Sequence, residues 1–283
     1  MTEERKAKRD PAININQVEL LGRVAKDPMI KADLVRVPIM VPTWGRDGTN
    51  WVGFGIDVVG DKIDKAKGAT AGDFFRCTCF LVDRPIEDDN GDMKTVKHLQ
   101  LDPFRELGLM PGEADEVPFI NPPYHGICYS RILLAGRNFI RKKQLEEGKD
   151  TPIVRDSGNG PYCYVNLRYE DPFQAPPQGD EKYFKNMFID FAVNGKPAEI
   201  VGQWCKNRAQ IVARGELVRK ECNFTAHGGK TPKEPAVRLI PGGFSFVNLG
   251  QGSGQARTPE PAKDYEDPKD TSGVAGLDDD IPF

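Results

Sequence analysis

Short segments that alternate apolar and polar residues, each closed by a turn signal, recur along this chain of 283 residues. An alternation of period two describes strands with one buried and one wet face. The first runs Ile13-Asn14-Ile15-Asn16-Gln17-Val18-Glu19-Leu20-Leu21-Gly22-Arg23-Val24 and ends at Lys26-Asp27-Pro28. The second is 34–41, where Pro38 lacks an N–H and points to an edge or a bulge. The turn Gly45-Arg46-Asp47-Gly48 leads to a third strand over 51–59. A short helix is expected across Asp61–Lys67 and a fourth strand over 74–82. Asp89-Asn90-Gly91 is a tight-turn signal, and Lys94–Leu101 returns as the fifth strand.

Strands with a short helix and a closing hairpin fit a small five-stranded barrel of the OB type. Residues 124–248 repeat the order loosely. Arg131–Arg137 echoes the first strand, and 162–169 is the second. Phe188-Ile189-Asp190-Phe191-Ala192-Val193-Asn194-Gly195-Lys196-Pro197-Ala198-Glu199 is a third strand running into a helix. Ile211–Lys220 and Pro235–Val247 complete the set. Within the polar stretch 141–160, Lys142-Lys143 reads as a short basic helix or a loop. The expected class is therefore mostly β, with two OB barrels in tandem at 13–104 and 124–248. A flexible segment 1–12 precedes them, and a Pro-rich acidic linker, 105–123, separates them. A Gly/Ser/Pro/acidic linker over 249–276 and an acidic tip over 277–283 follow.

Net charge is −3, but its distribution matters more. Residues 1–123 carry 17 basic and 21 acidic side chains, 124–248 carry 19 and 13, and 249–283 carry 3 and 8. A phosphate backbone would be drawn to the middle block and repelled by the tail. The 6 cysteines include no Cys-x-x-Cys and the 3 histidines are scattered, so neither zinc nor another cofactor is expected. Reduced thiols point to a cytoplasmic setting. No apolar run approaches the length of a membrane span, and no apolar stretch follows Met1–Lys6 as a secretory signal would require.

The tip Leu277-Asp278-Asp279-Asp280-Ile281-Pro282-Phe283 joins three aspartates to two apolar side chains, and Pro282 holds Ile281 extended. A partner could read Asp278, Asp279 and Asp280 with a basic rim, and Ile281, Pro282 and Phe283 with an apolar pocket and a cation for the carboxylate. The tip resembles the C-terminal peptide of bacterial single-stranded DNA-binding proteins, the SSB family, an acidic run closing in Ile-Pro-Phe or Leu-Pro-Phe. The pattern Val18-x-Leu20-x-Gly22-Arg23-Val24-x-x-Asp27-Pro28 is similar to that family's first strand, 188–199 to its third strand and Gly-Lys-x-Ala-Glu helix start, and 211–220 to its fourth. The resemblance spans roughly 12–104, 124–248 and 277–283. Departures are Asn194 before Gly-Lys, Val59-Gly60-Asp61-Lys62 at the matching place in the first half, and Ile86 and Cys222 where a tryptophan often ends strand four. The resemblance implies sequence-nonspecific binding and protection of single-stranded DNA in replication, repair and recombination. It also implies recruitment of DNA-processing proteins through the tip, a homodimer presenting four OB domains, and a cytoplasmic, nucleoid-associated protein.

Single strands are held by a basic groove and by aromatic faces, each stacked base contributing about 1–3 kcal/mol. Trp44 and Trp51 match positions where the family places stacking tryptophans, and Phe54 lies on the same strand. In the second half the aromatic candidates are Tyr164, Tyr169, Phe173, Tyr183, Phe184 and Phe188. The basic candidates are Arg137, Arg141, Lys142, Lys143, Arg168, Lys185, Arg214, Arg219 and Lys220. Phe75, Phe80 and Phe191, amid apolar neighbours, are expected in the core, and Trp204 is expected to pack the connecting helix. Asp88, Asp89 and Asp92 flank Asn90-Gly91 and read as a surface turn rather than a nuclease metal site. With no phosphate-cradling Gly-Lys-Ser/Thr loop and no His-rich ligand spacing, an enzyme is not expected. The alternative function is an OB-fold adaptor that binds protein only.

Overall fold

The computed structural model describes residues 14–31, 33–45, 48–112, 128–170 and 186–248, with the backbone alone at Trp44 and a few neighbouring positions. The first half holds β1 (Ile15–Val24), β2 (Met29–Ile30), β3 (Val35–Gly45) and β4 (Gly48–Val58). A 3-10 turn, Gly60–Lys62, runs into α1 (Ile63–Lys67), followed by β5 (Phe74–Glu87), β6 (Met93–Leu101) and β7 (Gly108–Met110). The alternation predicted from sequence is what builds them. On β3, Val35, Val37, Ile39 and Val41 are fully buried while Arg36, Pro38 and Met40 face outward. Each buried Val or Ile contributes about 1.5–3 kcal/mol relative to exposure.

Antiparallel ladders join β1 to β3, β3 to β4, β6 to β5 and β5 to β1. A short parallel pairing of β4 with β6, Ile56 opposite Leu99, closes the circuit into a five-stranded barrel. Pro38 is not at an edge. It sits inside β3 opposite Gly55, and its carbonyl accepts the Ala25 N–H at 2.8 Å. The expected linker also begins later than 105, because Leu107 is buried and β7 pairs with β5, Arg76 opposite Gly108.

The second half holds β8 (Tyr129–Asn138), α2 (Lys142–Glu146), β9 (Arg155–Asp156), β10 (Pro161–Glu170), β11 (Asn186–Asn194), α3 (Lys196–Trp204), β12 (Gln210–Glu221) and β13 (Lys233–Asn248). Its pairing order, β11-β10-β8-β12-β13, matches β4-β3-β1-β5-β6 of the first half. Phe191 of β11 meets Phe244 of β13 with centroids 6.2 Å apart, and among the described residues no backbone ladder joins these two strands. Gly22 and Gly136 mark the same place in the two first strands: a Cβ would lie 2.5 Å from the Met40 carbonyl oxygen at one and 2.3 Å from that of Arg168 at the other. Only glycine lets the neighbouring strand cross so closely.

β1 and β8 pair antiparallel from Ile15 opposite Ala135 to Leu21 opposite Tyr129, making one continuous sheet and one compact unit. The two hairpin ends also meet, Asp89 N–H donating to the Thr225 carbonyl at 3.1 Å and His227 N–H to that of Glu87 at 3.0 Å. Phe75 and Phe191 are buried and Phe80 packs against the core, as expected. Trp204 is not packed as expected: α3 buries Ala198 and Val201, and Trp204 stands 50% exposed.

Candidate nucleic-acid interface

Residues directly opposite in an antiparallel ladder project to the same face. Gln210 lies opposite Arg137, Arg137 opposite Arg168, and Arg168 opposite Phe188. One row across β12, β8, β10 and β11 thus carries two guanidiniums and an aromatic ring. Along β10 the outward positions are Tyr162, Tyr164, Asn166 and Arg168, since Cys163, Val165, Leu167 and Tyr169 are buried. Tyr164 is 60% exposed and meets Tyr162 edge-on, centroids 6.0 Å apart at 89°. Phe188 is 38% exposed and leans edge-on against Phe139 at 5.1 Å. Edge contacts of this kind orient a ring while leaving a face for a stacking partner.

The other basic candidates gather less tightly. Arg141, Lys142 and Lys143 are exposed at the start of α2. Arg214 is exposed on β12 and lines a recess of about 610 Å³ with Gln17, Glu19, Tyr129 and Arg131. Arg219 and Lys220 are exposed farther along β12. Lys220 shares a recess of about 310 Å³ with Phe188, Asp83 and Lys97, so that side chains from both halves meet there. Phe173, Tyr183, Phe184, Lys185 and the tip residues Asp278, Asp279, Asp280, Ile281, Pro282 and Phe283 lie outside the described residues.

Two aromatic candidates are corrected. Phe54 is 5% exposed and Tyr169 1% exposed, so neither ring offers a face to a base as folded. The cause is strand parity. Trp51 and Phe54 are three apart, and Tyr164 and Tyr169 five apart, so each pair points to opposite faces.

In the first half, the equivalent face is that of β3 and β4. Its rows are Arg36 opposite Asp57, Pro38 opposite Gly55, Met40 opposite Gly53, and Pro42 opposite Trp51. Trp51 is half-buried, and Trp44 pairs with Thr49 through its backbone at the hairpin end. On this face Gly53 and Gly55 carry no side chains, and Met40 Sδ and Arg36 Cδ lie over them, each 3.0 Å from the place of a Cβ. At the Asp57 end of the face stands a group that sequence reading missed. Arg36 forks onto Asp57 at 2.6 and 3.0 Å, and Arg84 reaches the same carboxylate at 2.9 Å. His98 Nδ1 lies 3.3 Å from Arg36 Nη2. The Asp57 hydrogen bond raises the Arg36 pKa, while burial and then the Arg36 charge push the His98 imidazole down to about 4.

Asp88 is buried and accepts the N–H groups of Asn90 and Asp92, both at 2.9 Å, which makes it the organiser of the turn. Among the described residues no group of three His, Cys, Asp or Glu is placed to hold a metal. Burial raises the thiols of Cys128 and Cys163 to about 11 and of Cys205 to about 12, which keeps them protonated and inert. No described helix is long and apolar enough to cross a membrane.

No family model matches the sequence. A stretch of 70 residues is 33% identical to Protein Wiz of Mus musculus, covering 22% of this chain and 4% of that protein, so the chain spans a small fraction of that relative. Among solved structures, the wild-type single-stranded DNA binding protein from Thermus aquaticus superposes with a TM-score of 0.55 at 14% identity, covering 87% of this chain and 98% of that one. A deletion mutant of the same protein gives a TM-score of 0.50 at 14% identity, covering 81% and 97%. These likenesses extend over both halves of the described chain and agree with a mostly-β fold containing a closed five-stranded OB barrel.

Proposed function

We propose that this chain binds single-stranded DNA without sequence preference, laying the strand across the outer faces of β10–β11 and β3–β4. The observation that carries the reading is the row of Arg137, Arg168 and Phe188, with Tyr164 exposed farther along β10. Guanidiniums beside open rings serve phosphates and bases of any sequence, because neither contact reads a base edge. The likeness to the Thermus aquaticus protein supports the same reading. In it, 13–104 and 124–248 each serve as a DNA-binding domain, the second as a barrel matching the first in strand order. The chain is a binder and not an enzyme. It protects strands in replication, repair and recombination, on the nucleoid in the cytoplasm, and its tip recruits DNA-processing proteins.

The homodimer belongs to this reading too. Its support is the open recess along β1 and β8, where Tyr129, Leu133 and Ile240 offer apolar surface to a second copy. Light scattering is expected to give twice the chain mass, and a monomer at micromolar concentration would overturn that part. The central test titrates oligothymidines of increasing length at several salt concentrations with magnesium present. Tight, salt-sensitive binding with the strand left intact is expected. Cleavage would make the protein an enzyme, and absence of binding at low salt would make it a protein-only adaptor.

A further inference from the structure

We propose that Arg36 and Arg84, clamped side by side on Asp57 with His98 beside them, form a seat for one backbone phosphate of the bound strand. This rests on the single-stranded DNA reading and deepens it. The first half carries more acidic than basic residues, so its totals give no reason to expect an anion site there.

The argument begins with Asp57. Its side chain is 0% exposed although it stands on the outer face of β4, because Arg36 and Arg84 cover it. One carboxylate between two guanidiniums leaves a positive charge in excess. Both arginine side chains remain partly open, 26% exposed at Arg36 and 31% at Arg84. Arg36 uses Nε and Nη2 on Asp57, which leaves its Nη1 end available among the described residues. Arg84 uses one Nη2 contact, leaving most of its donors. Two planar forks held at fixed spacing match a phosphate better than two free lysines would, because their side chains are already ordered.

His98 fits the same role. Arg36 Nη2 donates to its Nδ1, so the neutral ring carries its proton on Nε2 as a further donor. Being uncharged at neutral pH, it adds no repulsion between the arginines.

The outer face of β4 supplies the direction. Trp51 and Asp57 lie on the same face of β4, roughly 20 Å apart at about 3.3 Å per residue. Gly53 and Gly55 lie between them. A Cβ at Gly55 would come within 3.0 Å of Arg36 Cδ, so the bare position is what lets Arg36 lie flat toward Asp57. A strand running along this face, over Met40 and Arg36, would meet a ring at one end and the arginine pair at the other. That continuity favours a nucleic-acid backbone over an acidic peptide.

The test uses the full chain and Arg84→Gln, which keeps an N–H for Asp57 and removes the charge, with Arg105→Gln as a control away from the β3–β4 face. Oligothymidine affinity at low salt is expected to fall about three- to tenfold in Arg84→Gln. The plot of log affinity against log salt should flatten by about 0.7, the value for one phosphate released from a single strand. Arg105→Gln should leave both unchanged. Independently of any variant, the His98 ring signals should move in NMR spectra of the wild-type protein when oligothymidine is added. An unchanged slope in Arg84→Gln together with still His98 signals overturns the phosphate seat while the DNA reading stands. Loss of binding to a synthetic peptide of residues 277–283, with no change toward oligothymidine, would reassign the seat to acidic peptides. A wild-type protein that binds no oligothymidine at low salt overturns both.

Discussion

Arg137 and Arg168 stand directly opposite each other across β8 and β10. Like charges so placed in a ladder cost stability, and Phe188 is the next residue in the row. An anion lying over the row would relieve that cost. Arg168→Met is therefore expected to keep or raise the melting temperature while weakening oligothymidine binding and flattening its salt dependence by about 0.7. Thermal melts and salt titrations of the same preparation check both. A lower melting temperature with unchanged affinity would make Arg168 a structural residue.

Aromatic contacts should behave in the opposite way. Tyr164→Ala is expected to lower affinity about 5- to 150-fold, the equivalent of about 1–3 kcal/mol for one stacked base, without altering the salt slope. Its stability should hardly change, since Tyr164 is 60% exposed. Tyr169→Ala, five positions on and buried, should instead cost about 3–5 kcal/mol of stability, as aromatic truncations in cores do. Denaturant melts and binding curves separate the two. Equal stability losses would mean that the outward face of β10 is misassigned.

His98 gives a pH dependence. Its folded pKa of about 4 lies below the ordinary 6.5, chiefly through burial and the Arg36 charge, with Asp57 opposing and Arg84 adding. The unfolded chain therefore binds a proton that the folded chain refuses between these values. The stabilising effect is complete above pH 6.5 and is lost as pH falls toward 4. Its size is at most on the order of 3 kcal/mol. Denaturant unfolding at pH 7 and pH 5 should show a smaller pH effect in His98→Gln than in the wild type. Identical pH effects in the two proteins would rule out His98 as the source.

The strands were legible because one buried face imposes period two, and β1, β11 and β12 fall where the alternation places them. The step from β11 into α3 was legible too, through Gly195-Lys196. A closed first barrel was legible in the strand count, the short helix and the closing hairpin, but the parallel register of β4 with β6 that closes it leaves no local signal. Residue type alone places Phe54 and Tyr169 among the stacking rings, whereas strand parity turns both inward. The group around Asp57 was hidden for a different reason. Arg36, Asp57, Arg84 and His98 come from four strands, and each alone looks like an ordinary charged or polar residue on a wet face. Register alone brings them together.

The tip can be tested through its side chain. Burying a phenylalanine contributes about 1.5–3 kcal/mol, so Phe283→Ala should weaken capture of DNA-processing proteins at least about tenfold. Oligothymidine binding should not fall. Pull-downs and titrations on the same variant check this. Weaker DNA binding with unchanged partner capture would assign the tip to the DNA site.

Trp51 is the most direct reporter of the strand's path. The chain has 3 tryptophans, so two Trp→Phe changes leave one emitter in each single-tryptophan protein. Trp51 lies opposite Pro42, half-buried at one end of the β3–β4 face. A base stacked on its ring should quench its emission on addition of oligothymidine. Trp204 stands 50% exposed on α3, which is not part of the β3–β4 or β10–β11 ladders, and its emission should stay constant. The exposed ring is therefore the silent one and the half-buried ring responds, the reverse of what exposure alone would give. Quenching of Trp204 with Trp51 unchanged would move the strand off both sheet faces and onto the helix.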